Sequence, residues 1–544
     1  MKTARNQHLF PALAAFGLLA VCVTARAAEG VSVTAPNAAA VKAPATPPAG
    51  AAIRSSAVPG TAGTVPAPGA GPIQNEFYYY RLETIPIPKN VSLEIGGMEF
   101  LPDGRLLMGT RRGEIWAFNK GEWKRWASGL DEVMGICPTG TNQVVVSQRP
   151  ELTRITDRDG DGVADQFETL ADAWNYSGHI YEWTFGPVRD SAGNFYGTLA
   201  CWFFPTMRYE RSPYSGWDIK PPAGWTPGTN TAWRGWCFQV TPRGEFIPWA
   251  SGIRSPNGIG FNADGDLFVT DNQGEYFGAC VMHHITKGAF HGHPNALFWG
   301  PDAVKDPFSI PLEEMDARRK LPAIQFPYGV MGQSAAQPLL APTGGRFGPF
   351  AGQLFVGDQT KSVVMRVALE KVGGEYQGAC FPFRTGFQCG NNRAAFAPDG
   401  SLWVGQTDRG WGAVGGQPFG LQRLVWTGET PFEIHSLRLT REGFDATFTK
   451  PVDPKSVGDL AAWSVQRFRY HYHRKYGSPK IDEQPVPVSA ARVSADGRTV
   501  SLALGAGGLA PRFLYEFHLS GARAADGTEL LHDAAYYTLN RLKE

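Results

Sequence analysis

Twelve residues of this sequence have the spacing of a calcium-binding loop. Residues 157–168 read DRDGDGVADQFE, which matches that loop position for position. Ca²⁺ prefers about six to eight hard oxygen ligands, and carboxylates and one carbonyl at these intervals supply them. No helical pattern flanks the loop, so we predict a structural clamp, with an ion-free polar turn as the alternative. The predicted ligands are Asp157, Asp159, Asp161, Val163, Asp165 and Glu168.

A second group of residues combines an arginine with oxygen-bearing side chains. Arg254, in SGIRSPNGIGF, immediately precedes an apolar strand pattern, and Asp271 to Glu275 follow the next one. Both segments are therefore expected at strand ends. A planar guanidinium there suits a carboxylate or quinone oxygen. Gln273 and Glu275 are candidate metal ligands, with an acidic turn as the alternative.

His179 is the candidate general base. It lies in GHIY at 178–181, just before another strand pattern. The unperturbed pKa of histidine lies near working pH, which suits proton transfer. The alternative is a hydrogen-bonded structural histidine.

Five tryptophans between residues 201 and 236 favour either a stacking platform for sugar rings or a self-packed loop. Two histidine pairs are weaker metal candidates, because a tight loop explains the first pair and a solvated edge strand explains the second better than a metal site does. The tryptophans are Trp202, Trp217, Trp225, Trp233 and Trp236, and the histidine pairs are His291 with His293 and His471 with His473.

A recurring strand–turn–strand phrase must position these residues. It reads GMEFLPDGRLLMGT at 97–110, MGICPTGTNQVVVS at 134–147, NGIGFNADGDLFVTDN at 257–272 and NRAAFAPDGSLWVGQT at 392–407. Two looser copies bring the number to six. Hairpins with one apolar face cannot bury that face alone, so the copies are expected to stack around an axis. We predict an all-β chain with a six-bladed β-propeller over 75–428, whose site lies at the mouth of the channel.

The sequence pattern changes after residue 428. Segments such as AARVSADGRTVSLAL alternate apolar and polar residues across Asp-Gly turns. This pattern is typical of half-buried antiparallel strands. We predict an immunoglobulin-like β-sandwich over 429–544.

The amino terminus has the features of a secretory signal. A short basic region precedes an apolar stretch, and residues 25–27 form a small-x-small cleavage site. We predict a signal peptide over 1–27, a flexible Ala/Pro/Gly-rich linker over 28–74, and a secreted or periplasmic chain with no transmembrane segment. Lipid anchoring at Cys22 is an alternative.

The charge balance and the cysteine content further limit which partners and covalent cross-links are expected. The chain has 51 basic and 50 acidic residues, a net charge of +1, which argues against nucleic acid as a partner. Export permits disulfides, so we expect at least one, and Cys380 and Cys389 are close enough in sequence to close a loop. No Cys-x-x-Cys-His motif occurs, so no covalent haem is expected.

Over residues 80–428 the chain resembles the soluble pyrroloquinoline-quinone (PQQ)-dependent sugar dehydrogenases and their glucose/sorbosone dehydrogenase relatives. It is similar to secreted bacterial propellers often labelled membrane-bound dehydrogenases. The resemblance rests on GIRSPNGIGFNADGDLFVTDN followed by ITKGAFHGHP. It implies a PQQ site at the propeller mouth.

The resemblance also implies residue roles. His179 would take the proton of the sugar hydroxyl, and Arg254 would contact both cofactor and substrate. Calcium bridging cofactor and protein would be held around Gln273 to Glu275. Ser255 stands where the family has asparagine, and Asn257 is nearby. The remaining candidates for contact with the cofactor's carboxylates are Lys361, Arg393 and Arg409.

Three functions follow from these observations. The first is a calcium-dependent quinoprotein dehydrogenase that oxidises a sugar or related alcohol and passes electrons to an external cytochrome c or other acceptor. The second is a calcium-dependent hydrolase, lactonase or lyase without quinone, because propellers host many chemistries. The third is a non-catalytic carbohydrate-binding or surface-assembly propeller.

Overall fold

The computed structural model describes residues 75–174, 182–201, 232–410 and 412–544, all of which belong to one compact unit, Gly69–Glu544. The predicted signal peptide, linker and anchor cysteine, and the candidate base His179, lie outside the described residues. Within the described ranges, no helix has the length and apolar character that crossing a membrane requires.

The chain begins with one helical turn, a strand and two sheets. The turn is α1 (Glu76–Tyr79) and the strand is β1 (Tyr80–Thr84). The first blade contains β2 (Ile95–Phe100), β3 (Leu106–Thr110), β4 (Ile115–Asn119) and β5 (Glu122–Ala127). The second contains β6 (Ile136–Pro138), β7 (Gln143–Ser147), β8 (Leu152–Thr156) and β9 (Gln166–Ala171). Both blades are antiparallel and follow chain order.

Two further sheets repeat this pattern, and short helices interrupt the fourth. The third blade contains β10 (Thr184–Arg189), β11 (Phe195–Leu199), β12 (Trp236–Val240) and β13 (Phe246–Ser251). The fourth contains β14 (Pro256–Phe261), β15 (Leu267–Asp271), β16 (Cys280–Ile285) and β17 (Ile324–Phe326). Between its last two strands lie 3₁₀ turns at Pro294–Phe298 and Pro307–Ser309 and helix α2 (Leu312–Arg318).

The last two blades complete a ring. The fifth contains β18 (Ala335–Leu340), β19 (Leu354–Asp358), β20 (Val363–Val372) and β21 (Glu375–Arg384). The sixth contains β22 (Asn391–Phe396), β23 (Leu402–Thr407) and β24 (Phe419–Trp426), and β1 supplies its outer strand. The six innermost strands contact one another in a closed circle. The predicted six-bladed propeller is confirmed.

The inner strands approach so closely that side chains are excluded at the contact. A Cβ atom at Gly135 would overlap the carbonyl oxygen of Gly186, and one at Gly258 would overlap the backbone of Gln337. Glycine is therefore required by the close approach of neighbouring blades. This layer narrows the channel.

Arg393 closes the narrowed channel. Its side chain lies on the axis and donates from Nη1 to the carbonyl and side-chain oxygens of Asn257 and Asn392, at 2.6–3.1 Å. Nη2 donates to the carbonyl oxygen of Met134 at 3.1 Å. Burial and the neighbouring Arg111 lower the pKa of Arg393 to about 9. One guanidinium thus joins the second, fourth and sixth blades.

The carboxyl-terminal strands form a β-sandwich that shares a sheet with the propeller. The strands are β25 (Ile434–Leu439), β26 (Gly443–Phe448), β27 (Trp463–Arg469), β28 (Ile481–Pro485), β29 (Val488–Val493), β30 (Thr499–Leu504), β31 (Phe513–Leu519) and β32 (Ala534–Leu539). Short helices lie at α3 (Pro454–Gly458) and Leu460–Ala462. One sheet has the order β25-β26-β30-β29.

The other sheet of the sandwich, β28-β27-β31-β32, pairs edge to edge with β21, which places Cys380 opposite Tyr536. The outer edge of the fifth blade is therefore covered, and the sandwich continues that blade rather than hanging from a linker. Phe381 of β21 is buried in the same apolar core as Phe444 and Tyr537. The immunoglobulin-like topology stays a prediction.

A buried charge network fastens the amino-terminal turn to the propeller and the sandwich. Glu76 accepts hydrogen bonds from Arg384, while His532 lies between Glu76 and Glu433 at 3.0 and 2.6 Å. Burial opposes the charge on His532, but the two carboxylates outweigh it and raise its pKa to about 9. Three segments distant in sequence are thereby held together.

The expected disulfide is not formed. All six cysteines from Cys137 to Cys389 are free and buried. Cys380 faces the sheet junction, and burial raises its pKa well above the ordinary thiol value. These residues serve as small apolar side chains inside the blades.

The close contact between neighbouring blades leads to a prediction about the free energy of unfolding. Gly135→Ala inserts a methyl group between the second and third blades, so we expect the free energy of unfolding to fall by about 1–3 kcal/mol. Gly140→Ala, in a turn of the same blade with open space around it, is the matched control and should change it by less than about 0.5 kcal/mol. Urea unfolding measures both. Equal effects would contradict the tight contact.

Candidate active site

The predicted site residues come from loops on one face of the propeller. Neighbouring antiparallel strands reverse direction, so the start of each inner strand and the end of the second strand share an edge. Arg254 precedes β14, residues 272–275 follow β15, Lys361 follows β19 and Arg409 follows β23. We call this the mouth face, and the side on which the inner strands end the far face.

Arg254 is sealed beneath the loop after β15. Its Nε lies 3.1 Å from Oε2 of Glu275, its Nη1 donates to the carbonyl oxygen of Gln273 at 3.1 Å, and the residue is only 1% exposed. The backbone N–H groups of Arg254 and Ser255 donate to Asp271 at 2.7 Å. Burial raises the pKa of Asp271 to about 6, although these N–H groups oppose the rise.

The sandwich reaches the mouth through residues 470–478. Gly477 N donates to the carbonyl of Gly274 at 3.0 Å, and Tyr276 N donates to that of His473 at 2.8 Å. The ring of Tyr476 lies 5.3 Å from the guanidinium carbon of Arg254. Residues 470–478, which we call the sandwich strap, therefore complete the cover over Arg254.

The strap leaves two aromatic rings partly in solvent. Tyr476 is 57% exposed and Tyr328, from the loop before β18, is 39% exposed. Tyr328 N donates to the hydroxyl oxygen of Tyr470 in the strap at 3.2 Å. Burial, together with the neighbouring Tyr476, raises the pKa of Tyr328. The two rings form an aromatic pair beside the mouth.

A cluster of arginines surrounds two glutamates on the other side of the mouth. Glu132 lies within 2.9 Å of Arg149, 3.2 Å of Arg409 and 3.5 Å of Arg111. Glu94 pairs with Arg112 at 2.8 Å and with Arg409 at 2.9 Å. We define the mouth arginine cluster as Arg111, Arg112, Arg149 and Arg409 with Glu94 and Glu132.

The mouth arginine cluster carries more positive than negative charge. Four guanidinium groups meet two carboxylates, and the excess stays positive when the neighbouring Asp131 is counted. Burial opposes ionisation of Glu132, but Arg111 and Arg149 outweigh it and lower its pKa, so this carboxylate stays charged. Arg112 is 55% exposed and Arg409 35%, which leaves guanidinium edges open to solvent.

Trp183 supports the cluster from below. Its Nε1 donates to Glu132 at 2.7 Å, and the Arg111 guanidinium lies 4.6 Å from its ring centre. This cluster was not predicted from the sequence. The signal available in the sequence was position: Arg111 comes immediately after β3 and Arg149 shortly after β7, at strand ends where the site was expected.

The structure separates the remaining predicted cofactor ligands. Asn257 and Arg393 are together in the channel, where Asn257 accepts from Arg393. Gln273 donates from its side chain to the carbonyl of Gly278 at 3.0 Å. Lys361 donates from Nζ to the carbonyl of Gly329 at 2.6 Å. Of the candidate cofactor ligands, Arg409 and Lys361 are the ones that reach solvent.

The two histidine pairs have structural surroundings. His291 and His293 are fully buried, and burial holds their pKa values well below the ordinary value. His473 is 2.7 Å from the carbonyl of Gly477 within its own strap, and its ring stacks with that of His471 at 5.4 Å. Local contacts therefore account for His471 and His473. Among the described residues, both ring nitrogens of His291 and Nε2 of His293 are buried without a hydrogen-bond partner.

The predicted tryptophan platform lies only partly within the described chain. Trp236 is buried and donates to the carbonyl of Ala296 at 2.8 Å. Trp233 meets Trp236 edge to face, with ring centres 5.4 Å apart. These two rings pack against each other, and Trp202, Trp217 and Trp225 lie outside the described residues.

The predicted calcium loop joins β8 to β9 on the far face. Carboxylate oxygens of Asp157, Asp159 and Asp161 lie within 4.8 Å of one another. Asp165 instead accepts from Arg158 N at 3.0 Å, and Glu168 lies in β9 opposite Arg154. The structure thus brings together the carboxylates of three predicted ligands, Asp157, Asp159 and Asp161.

The loop also connects two blades. Lys124 of β5 donates to the carbonyl of Asp161, and Ala164 N donates to the carbonyl of Trp126 at 2.7 Å. Three clustered carboxylates suit a hard cation. A cation held there would stabilise the contact between the first and second blades and would lie away from the mouth.

We expect calcium to stabilise the protein through these three carboxylates. For an extracellular site with a dissociation constant of about 10⁻⁴–10⁻³ M, about 10 mM Ca²⁺ should stabilise the fold by about 1–3 kcal/mol. Thermal melting with and without Ca²⁺ measures the effect. Asp159→Asn should abolish it, and the matched variant Asp165→Asn should retain it. If Asp165→Asn lost the stabilisation by calcium while Asp159→Asn kept it, the assignment of the ligands to Asp157, Asp159 and Asp161 would be contradicted.

Solved structures of propeller proteins are similar to this chain at low identity. An oxidoreductase described as a glucose dehydrogenase, from Thermus thermophilus, is 20% identical; 64% of this chain and 100% of that one are covered, with a TM-score of 0.45. The PQQ-bound aldose sugar dehydrogenase of Streptomyces coelicolor is 13% identical, with coverage of 64% and 98% and a TM-score of 0.42. A gluconolactonase of Xanthomonas campestris is 15% identical, with coverage of 64% and 90% and a TM-score of 0.34.

No curated protein matches the chain. A family model does: the domain of unknown function DUF7133 matches residues 122–408, from the outer strand of the first blade to the end of β23. This range is more than half of the chain and contains most of the mouth. The chain therefore belongs to the DUF7133 family.

Proposed function

We propose that this protein is a secreted or periplasmic quinoprotein dehydrogenase that oxidises a sugar or related alcohol at the propeller mouth. The observation that carries the proposal is the mouth arginine cluster, with its excess positive charge and its open edges at Arg112 and Arg409. An exposed set of guanidinium groups at a channel mouth suits a planar ligand that carries several carboxylates. PQQ is such a ligand.

The mouth arginine cluster has guanidinium groups that PQQ could reach, whereas the buried arginines do not. Arg112, Arg149 and Arg409 can present guanidinium edges to its carboxylates, and Lys361 adds a further cation on the mouth face. Arg254 and Arg393, in contrast, donate to partners within the protein and are 1% and 5% exposed. In this proposal the two buried arginines support the mouth, while the cluster holds the ligand.

The aromatic pair supports a sugar-like substrate. Tyr328 and Tyr476 are both exposed beside the mouth, and Tyr476 lies over the sealed Arg254. Sugar rings present C–H faces that pack on exposed aromatic rings. Tyr476 comes from the sandwich, so both parts of the chain would contact the substrate.

The chain's own residues would divide the work as follows. His179, four residues before Trp183 along the chain, would accept the proton of the reacting hydroxyl. Glu132 stays ionised and orients Arg111, Arg149 and Arg409, so it acts as a positioning residue. The quinone, when bound, supplies the two-electron oxidant, which an external cytochrome c or other acceptor then reoxidises.

Calcium in this proposal belongs to the loop on the far face. Glu275 is already paired with Arg254, and Gln273 offers its carbonyl to the same guanidinium. A metal ion bound there would have to compete with a buried ion pair, which is costly to break. We therefore propose a structural role for calcium at Asp157, Asp159 and Asp161.

The second candidate is a quinone-free lactonase or hydrolase that binds a sugar acid. The same excess positive charge favours it, because one carboxylate on a substrate would pair with Arg112 and Arg409 as well as a cofactor would. The dehydrogenase would need added PQQ for turnover, whereas the lactonase or hydrolase would not. Hydrolysis of a lactone by cofactor-free protein would support the second.

We expect purified protein to bind PQQ and to reduce a dye when sugars are added. Arg409→Ala removes a charge-assisted contact, so PQQ affinity should fall by about 10- to 100-fold. Absorbance titration measures the affinity. Arg423→Ala, an exposed arginine on β24 paired with Glu83, is the matched control and should leave it unchanged.

Two outcomes would reject the quinone proposal. One is the absence of PQQ binding by the folded wild-type chain in the presence of Ca²⁺. The other is binding that Arg409→Ala and Arg423→Ala weaken equally, because the mouth arginine cluster would then have no special part in it.

We expect the sandwich strap to contribute to substrate binding. Tyr476→Ala removes the stacking ring, so KM for the sugar should rise by about 3- to 10-fold with kcat little changed. Tyr476→Phe keeps the ring and should behave like the wild type. Steady-state kinetics with a panel of sugars measures both. An unchanged KM in Tyr476→Ala would remove the strap from the substrate site.

A further inference from the structure

The propeller contains a cavity on its far face, on the opposite side of Arg393 from the mouth. It has a volume of about 340 Å³, and its wall comes from the inner strands of all six blades. The strand ends Phe100, Pro138, Arg189 and Phe261 surround its opening. This size is at the lower end of the range for small-molecule sites, about 300–1,000 Å³.

One acidic side chain projects into this largely apolar cavity. Glu99, the penultimate residue of β2, is part of the wall together with Met98, Ile259 and Phe261. Its Oε1 accepts from the N–H of Phe100 at 3.0 Å. Within the described part of the chain, no lysine, arginine or histidine forms an ion pair with Glu99. Glu99 is half-buried and keeps part of its surface accessible from the cavity. Desolvation by the surrounding wall raises its pKa to about 7 against the Phe100 N–H.

The charged and titratable groups around Glu99 are few. Cys137 of β6 faces it, and burial raises the pKa of that thiol to about 12, so the thiol is neutral. Arg189 of β10 is exposed at the rim and lies 5.9 Å from the Phe195 ring of its own blade. Arg393 of β22 donates to five oxygens on the mouth side. The fourth and fifth blades contribute the uncharged Ile259, Phe261 and Gln337.

We propose that this far-face cavity binds a small organic ammonium ion, held by an ion pair with Glu99 and by the apolar wall. A carboxylate in apolar surroundings is costly without a cation, and an ammonium group removes that cost. Phe100, Phe261 and the other apolar residues of the wall would take the hydrocarbon part of the ligand. The site is separate from the mouth because Arg393 and the close glycine contacts lie between them.

Other ligand classes fit the cavity less well. An anion would meet the Glu99 carboxylate, and the two arginines of the wall are engaged elsewhere: Arg393 donates to five oxygens and Arg189 lies at the rim beside Phe195. A metal ion such as Ca²⁺ needs several oxygen ligands, and Glu99 is the one carboxylate in the described wall. An uncharged apolar molecule would leave the carboxylate without a partner. The combination of a single acid with an apolar wall therefore favours a monovalent organic cation.

The test uses the full chain, at fixed ionic strength and fixed Ca²⁺, with n-butylammonium as the probe and n-butanol as its uncharged counterpart. Isothermal titration measures both. Ionised Glu99 binds the cation, so affinity for butylammonium should be about ten-fold higher at about pH 8.5 than at about pH 6. Butanol should bind more weakly and without this pH dependence.

Variants identify the residue responsible. Glu99→Gln should lower butylammonium affinity by about ten-fold or more at about pH 8.5 and remove the pH dependence. Glu122→Gln, on the exposed edge strand β5, is the matched control and should bind like the wild type. Unchanged binding in Glu99→Gln would overturn the proposal, as would equal affinity for butanol.

A measurement on the wild type alone keeps the proposal testable if Glu99→Gln fails to fold. Binding to the ionised carboxylate displaces a proton from the protonated fraction, so about half a proton should be released per ligand near pH 7. Titration in buffers of different ionisation enthalpy measures this number. A value of zero near pH 7 would show that Glu99 does not pair with the ligand.

Discussion

The guanidinium of Arg393 holds alternate blades of the propeller together between the mouth and the far-face cavity. It satisfies five oxygen atoms from the second, fourth and sixth blades. No apolar side chain could do this, because the carbonyl oxygens of Met134 and Asn257 would then be buried without donors. The planar fork of arginine reaches three alternate blades at once. The cost of burying its charge is visible in the lowered pKa.

The sandwich is attached so that its strap has a fixed place at the mouth. β32 extends the sheet of the fifth blade, and residues 470–478 follow directly from β27 in that same sheet. Backbone hydrogen bonds at Gly274 and Tyr276 then align the strap with the loop after β15. A shared sheet restrains the angle between two domains more strongly than a linker does, so Tyr476 can serve a site built on the propeller.

Much of the fold was predictable because it depends on local patterns. The six hairpin copies indicate the number of blades, and the position of Arg254 before one strand and of Asp271 to Glu275 after the next is readable from the strand pattern. The sealing of Arg254 was not predictable, because its cover comes from a strap in another domain. The calcium loop shows a different limit. A helix after the loop would turn the last ligand back toward the ion, but here a strand follows and sets Glu168 opposite Arg154.

The two sides of Arg393 differ in charge, and this difference organises what the channel can bind. The mouth has an excess of arginine, and the far-face cavity has a carboxylate, Glu99, without an ion-pair partner among the described residues. The wall of the cavity also includes Arg393, and Arg189 lies at its rim, so the two ends differ in their local groups: one carboxylate among apolar side chains on the far face, and four guanidinium groups around two glutamates at the mouth. Arg393 keeps them apart, because its own charge is directed toward oxygens on the mouth side and its side chain fills the axis.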